Sequence, residues 1–173
     1  MGVALAVALI AGQVADAGPL EAAWKGQLQC YQPDTVRKTC RSLAEYRRAP
    51  GGSITNIAHV LLITSPTTVW NIESPVRIEA DAICGAIRQQ DIDASDMTTV
   101  MDGTDMEDPK FHKRVDGAVE AVTKAIVGRD ICTRYVAQDT YLIAKVSIDG
   151  VAQPAMDQKV IWVAPDAGFR VEP

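Results

Sequence analysis

Four cysteines, Cys30, Cys40, Cys84 and Cys132, constrain this 173-residue chain more than any other feature. An even count allows two disulfides and three ways of pairing them. Between the first two lies CYQPDTVRKTC, with Pro33-Asp34 separating two alternating runs, residues 24–31 and 39–48. Proline presets φ and aspartate bonds the backbone ahead of it, so the runs read as a hairpin with Cys30 and Cys40 facing each other near its loop. Cross-strand Cβ atoms ~4.5–5.5 Å apart are close to what a disulfide needs. That pairing leaves Cys84 with Cys132. Loops of these lengths stabilise by about 2.8 and about 4 kcal/mol in the chain-entropy model, large against a total of ~5–15 kcal/mol.

Paired cysteines imply an oxidising compartment, and the N-terminus agrees. Residues 3–11 are an unbroken apolar run followed by Ala15-Asp16-Ala17, which fits the small-x-small cleavage rule. The run is short of the ~20 residues that span a bilayer. No Lys or Arg precedes it, which is unusual for a leader. The expectation is a signal peptide over residues 1–17 and a single globular domain over 18–173, periplasmic or secreted by a bacterium. Beyond the leader no apolar run is long enough to cross a membrane, and a formal net charge of −5 argues against nucleic acid as the partner.

Residues 54–63 (ITNIAHVLLI) are the densest apolar stretch after the leader and read as a central strand buried on both faces. Ser65-Pro66 and Pro75 read as breaks. Residues 76–84 (VRIEADAIC) alternate, with Val76, Ile78, Ala80, Ala82 and Cys84 on one face, and read as one half-exposed strand. Residues 97–101 form a strand that turns at Asp102-Gly103. The period then changes. Phe111, Val115, Ala118, Val119, Val122 and Ile126 share one helical stripe, Asp108 and Pro109 suit a helix start, and Gly128 suits its end. Strands over 131–136, 141–148 and 160–163 complete the pattern. The predicted class is α+β: a mainly antiparallel sheet with one main helix (about 109–127), stapled by disulfides.

Few motifs carry chemistry. The cysteine spacing lacks the C-x-x-C of thiol catalysts and zinc sites, so a structural role is expected for all four cysteines. Within the acidic segment 91–108, Asp91, Asp93, Ser95, Thr99 and Asp102 fall on positions 1, 3, 5, 9 and 12 of an EF-hand-like register. Asp96 replaces the glycine at position 6 and no Glu stands at 12, so no metal site is assigned and a solvated acidic loop is expected. There is no G-x-S-x-G elbow and no glycine-rich phosphate loop, and no cofactor is called for. Residues 25–50 carry a local charge of +4, in which Arg37, Lys38, Arg41, Arg47 and Arg48 are a candidate patch for an anionic envelope component or protein, while 88–108 carry −6. The functional expectation is a non-catalytic binding or interaction protein of the bacterial cell envelope. An inhibitor-like role fits its size and disulfide-stapled style, in which it is similar to envelope proteins that inhibit lysozymes, with no motif in common. The alternative is a small exported hydrolase whose dispersed site involves His59.

Overall fold

The computed structural model describes residues 18–100 and 109–173. The leader over 1–17 and the turn at Asp102-Gly103 lie outside the described residues. A short helix α1 (Glu21–Trp24) leads into β1 (Leu28–Tyr31), β2 (Thr39–Cys40), β3 (Ser42–Arg48), β4 (Ile54–Thr64), β5 (Thr67–Glu79) and β6 (Ala82–Gly85). Then come α2 (Gln89–Asp93), β7 (Asp96–Val100), α3 (Pro109–Thr123), β8 (Ile131–Gln138), β9 (Tyr141–Ile148), β10 (Val151–Ala152), β11 (Gln158–Val163) and β12 (Arg170–Val171).

Eight of these strands pair antiparallel in the order β1-β3-β4-β5-β6-β8-β9-β11, and β11 returns to pair with β1. The sheet therefore closes into a barrel whose neighbours follow one another along the chain. Closure overturns the α+β expectation: the protein is mostly antiparallel β, with a closed eight-stranded barrel and helices making up only 20%. The physical reason lies in the edges. A sheet whose last strand bonds its first has no edges and covers its inner face with its own staves, so no helix is needed as a second layer over the core. Helix α3 lies instead against β4, burying Phe111 and Val115, and ends at Thr123, short of 127. The Thr123 hydroxyl bonds back to the Val119 carbonyl at that end.

Three strand readings are also corrected. Residues 76–84 are not one strand: Ala80 takes φ 51° and turns the chain, so Val76–Glu79 pairs with Ala82–Gly85. Pro75 does not break β5. It falls between the stretch paired with β7 (67–71) and the stretch paired with β6 (76–79), where no neighbour requires its missing N–H on that side. In β4 only Ile54, on the inner face, and Ile57 and Leu61, on the outer face, are buried, so burial on both faces is partial rather than continuous.

The registers assign those faces. Gln29, Tyr31, Ala44, Tyr46, Ile54, Asn56, Trp70, Ile72, Ser74, Ile83, Tyr135, Ala144 and Val160 fall on one continuous inner surface. Leu20 and Ala23 of α1 pack into this core beside Ala44, Tyr46 and Ile83. Outside the barrel a second apolar cluster gathers Cys30, Cys40, Leu43 and Val163 with Phe169 and Val171 of the C-terminal tail. Both expected disulfides are present. Cys84 and Cys132 are direct cross-strand partners, with Cα atoms 4.1 Å apart. Cys30 stands opposite Leu43, and its disulfide partner Cys40 lies in β2, which pairs in parallel with β12.

Gly85 is required by close approach, since a Cβ there would come 2.7 Å from the Pro75 carbonyl oxygen and 3.0 Å from Val76 Cγ1. Gly117 in α3 has nothing within 4 Å of the same atom. Gly85→Ala is therefore expected to destabilise by ~1–3 kcal/mol and Gly117→Ala to stabilise by up to ~1 kcal/mol. Urea unfolding of the two variants checks the contrast.

Candidate functional site

Eight strands make a barrel just wide enough for side chains to fill or for one small ligand. Here the filling is uneven. Tyr46, Asn56 and Ser74 lie in one inward row across β3, β4 and β5, and Gly85 and Thr133 continue the inner wall on β6 and β8. Small and polar residues in these positions leave a cavity of ≈ 160 Å³ lined by Tyr31, Tyr46, Asn56, Ser74, Thr133 and Tyr135, among others. None of its lining residues carries a formal charge.

Behind the cavity wall stands Gln29, fully buried. Its Oε1 lies 2.8 Å from the Tyr46 hydroxyl, 2.9 Å from that of Tyr31 and 3.1 Å from that of Tyr135. The Tyr31 and Tyr135 hydroxyls are themselves 2.6 Å apart, so one donates to the other. Gln29 Nε2 has no hydrogen-bond partner among the described residues. Burial pushes the phenols of Tyr31 and Tyr46 well above their ordinary value and raises that of Tyr135 as well. All three stay neutral near neutral pH and act as hydrogen-bonding groups rather than bases.

A second depression, ≈ 580 Å³, lies on the outer wall across β3, β4 and β5. It contains His59, whose Nδ1 is 2.8 Å from Asn71 Oδ1. Asn71 in turn donates to Asp96 Oδ1 and to the Thr98 hydroxyl. Cross-strand register makes this row, since His59 faces Asn71 and Asn71 faces Asp96. Glu45, Glu73 and Asp91 add carboxylates, of which Glu45 is paired with Arg47. The Arg88 guanidinium holds the Asp91 carboxyl below its ordinary value. No serine or threonine hydroxyl is hydrogen-bonded to His59 among the described residues.

The basic residues do not gather at one place. Arg37 bonds Asp34, Lys38 donates to the Ala167 carbonyl, Arg47 pairs with Glu45, and Arg48 stacks on Trp24 at 4.2 Å. Arg41, exposed just before β3, lies roughly 20 Å along the strand direction from Arg47 at ~3.3 Å per residue. The EF-hand-like positions fall on α2 and β7 rather than on a loop. Asp91 bonds Arg88, Asp93 accepts from Gln89, and Ser95 accepts from the Trp70 indole at 2.6 Å. Asp102 lies outside the described residues. Glu79, Cys84 and Cys132 sit together, but both sulfurs are closed in a disulfide and cannot ligate a metal.

Gln29 and the three tyrosines were not foreseen as a site. Residues 24–31 alternate with Leu28 and Cys30 on one side, a pattern that does not say which side is inner, and the closed sheet turns Gln29 and Tyr31 in. No protein-family model matches the chain, and neither a curated protein nor a solved structure does.

The raised phenols set a pH dependence. Their folded pKa values lie above the unfolded value of about 10, so the fold keeps its protons longer than the unfolded chain does. Stability is complete below about pH 10 and is lost as pH rises beyond it, by up to ~1.4 kcal/mol per pH unit for each phenol. Urea midpoints measured from about pH 9 to about pH 11 should fall, and fall less steeply in Tyr46→Phe. A flat profile, or an identical slope in the variant, would contradict this.

Proposed function

We propose that this chain is an exported, non-catalytic binding protein of the bacterial cell envelope, working in the periplasm or outside the cell, and that its binding site is the barrel interior. The observation that carries the reading is the uncharged cavity, lined by both polar and apolar side chains, behind which three tyrosine hydroxyls converge on buried Gln29. A barrel filled only for stability would present apolar side chains there. Export is supported by the two disulfides, which persist in oxidising compartments. Among the described residues no helix is long and apolar enough to cross a membrane. The interior supports the reading better than the basic residues do, because four of those five already have partners within the chain.

A second reading, hydrolysis at His59, is favoured by one observation. A bond from Nδ1–H to Asn71 would leave Nε2 free to accept a proton in an acidic cleft. Hydrolysis of an ester panel above background by the wild type, abolished in His59→Ala, would establish that reading. Its absence would remove it.

Two measurements test the binding proposal. The protein recovered from the periplasm of a bacterial host should begin at Gly18 with Cys30–Cys40 and Cys84–Cys132 linked, and an uncleaved chain with free thiols would overturn export. In protein-observed NMR with a library of small fragments, at least one should saturate resonances of the inner wall and lose that effect in Thr133→Leu, which fills the cavity. If nothing in the library perturbs the inner wall, the interior is not the binding site.

A further inference from the structure

The cavity can be read for the chemistry of its occupant; the inference deepens the binding proposal and rests on it. Size comes first. About 150 Å³ is enough to hold benzene in a protein interior, so ≈ 160 Å³ admits one six-membered ring with about one further non-hydrogen atom. The three tyrosine rings and Ile83 make walls on which such a ring packs.

Charge comes second. With no charged side chain in the lining, an ionised ligand would lose its hydration and gain no counter-ion. The occupant is therefore uncharged.

The direction of hydrogen bonding comes third. The Tyr46 proton points to Gln29 Oε1, and of the Tyr31 and Tyr135 pair one proton points to Gln29 and the other to the neighbouring phenol. All three protons are thus committed within the network, and the phenol oxygens keep lone pairs to offer. On the side of the phenols the cavity therefore offers acceptors, which a donating ligand complements, while the Ser74 and Thr133 hydroxyls can turn to either role.

We infer that the barrel cavity takes a small uncharged ring-bearing molecule carrying one hydroxyl or N–H donor, held through the phenol oxygens of Tyr31, Tyr46 and Tyr135. This differs from a site for a long aliphatic chain, which would not fit the volume, and from a site for an anion or an amine, which would find no counter-charge.

Phenol, toluene and benzoate are the probes, titrated separately into the disulfide-intact protein at neutral pH. The tyrosine ring resonances and the Ile83 methyls are followed by NMR. Phenol and toluene have the same number of non-hydrogen atoms and differ by a hydroxyl against a methyl. Phenol should saturate these resonances about tenfold more tightly than toluene, and benzoate should leave them unmoved. Tyr46→Phe should weaken phenol several-fold while leaving toluene unchanged; Tyr135→Phe, with the same result expected, is the second variant if Tyr46→Phe does not fold. Toluene or benzoate binding as tightly as phenol would overturn the ligand class and leave the interior as a binding site. If none of the three saturates the inner wall, the ligand class falls outright. The fragment library then decides separately whether the interior binds anything at all.

Discussion

The ladder between β1 and β11 is the interaction on which the rest of the structure depends. Leu28 to Tyr31 pair with Val163 to Val160, and through these residues the first long strand meets the last. Without this ladder the remaining seven pairings make an open, twisted sheet with two bare edges. With it every stave has an inside and an outside, and the alternation of each strand becomes a choice between them. Gln29, Tyr31, Val160 and Trp162 are turned inward by that ladder, and the inner core of Ala44, Tyr46, Ile54 and Ile83 forms around them.

The disulfides act on the parts that closure leaves exposed to loss. Cys84–Cys132 spans the one junction of the barrel where neighbouring staves are far apart in sequence before the closing ladder, since α2, β7 and α3 intervene between β6 and β8. The bridge shortens that excursion in the unfolded chain and holds two staves in register. Cys30–Cys40 works on the outer face, where Leu43, Val163, Phe169 and Val171 complete a small apolar cluster under the C-terminal tail. β12 is held there by only two paired residues, one of which faces Cys40. The tail covers the same outer face that the closing ladder exposes, so the two features stabilise each other.

Local signals in the sequence were read correctly where one residue dominates the chemistry. The Pro33-Asp34 turn and the disulfide pairing follow from turn residues and cysteine spacing, although the run 39–48 divides into β2 and β3 and Cys30 stands opposite Leu43 rather than Cys40. The start of α3 at Pro109 follows from its capping residues. The errors share a cause, which is that alternation says nothing about which face is inner or where a turn falls without glycine or proline. At Ala80-Asp81 the alternation in the sequence runs through a hairpin unbroken, although the turn places Ala82 and Cys84 on the face opposite Val76 and Ile78, where Ile83 and Gly85 stand instead. On β1 the tail gives the outer face apolar neighbours of its own, so Leu28 and Cys30 do not mark the inner side. The site was illegible for the same reason: Gln29, Tyr46 and Tyr135 are distant in sequence and only closure brings them together.

The polar interior is hard to account for as a device for stability. A leucine or phenylalanine in place of Gln29 would avoid desolvating an amide, and a buried network is favourable only when every member finds a partner. Gln29 Oε1 is fully satisfied while Nε2 has no partner among the described residues, a mismatch that costs on the order of 1–3 kcal/mol. Three tyrosines add neutral hydroxyls at the one level of the barrel where Asn56, Ser74 and Gly85 leave space. Of the other inner positions, Trp70, Ile72, Ala144 and Val160 are buried, with Thr68 as one further buried polar side chain. The departure from core packing is thus concentrated around one cavity. Such local violations are where function is found, because a chain selected for stability alone has no reason to keep them.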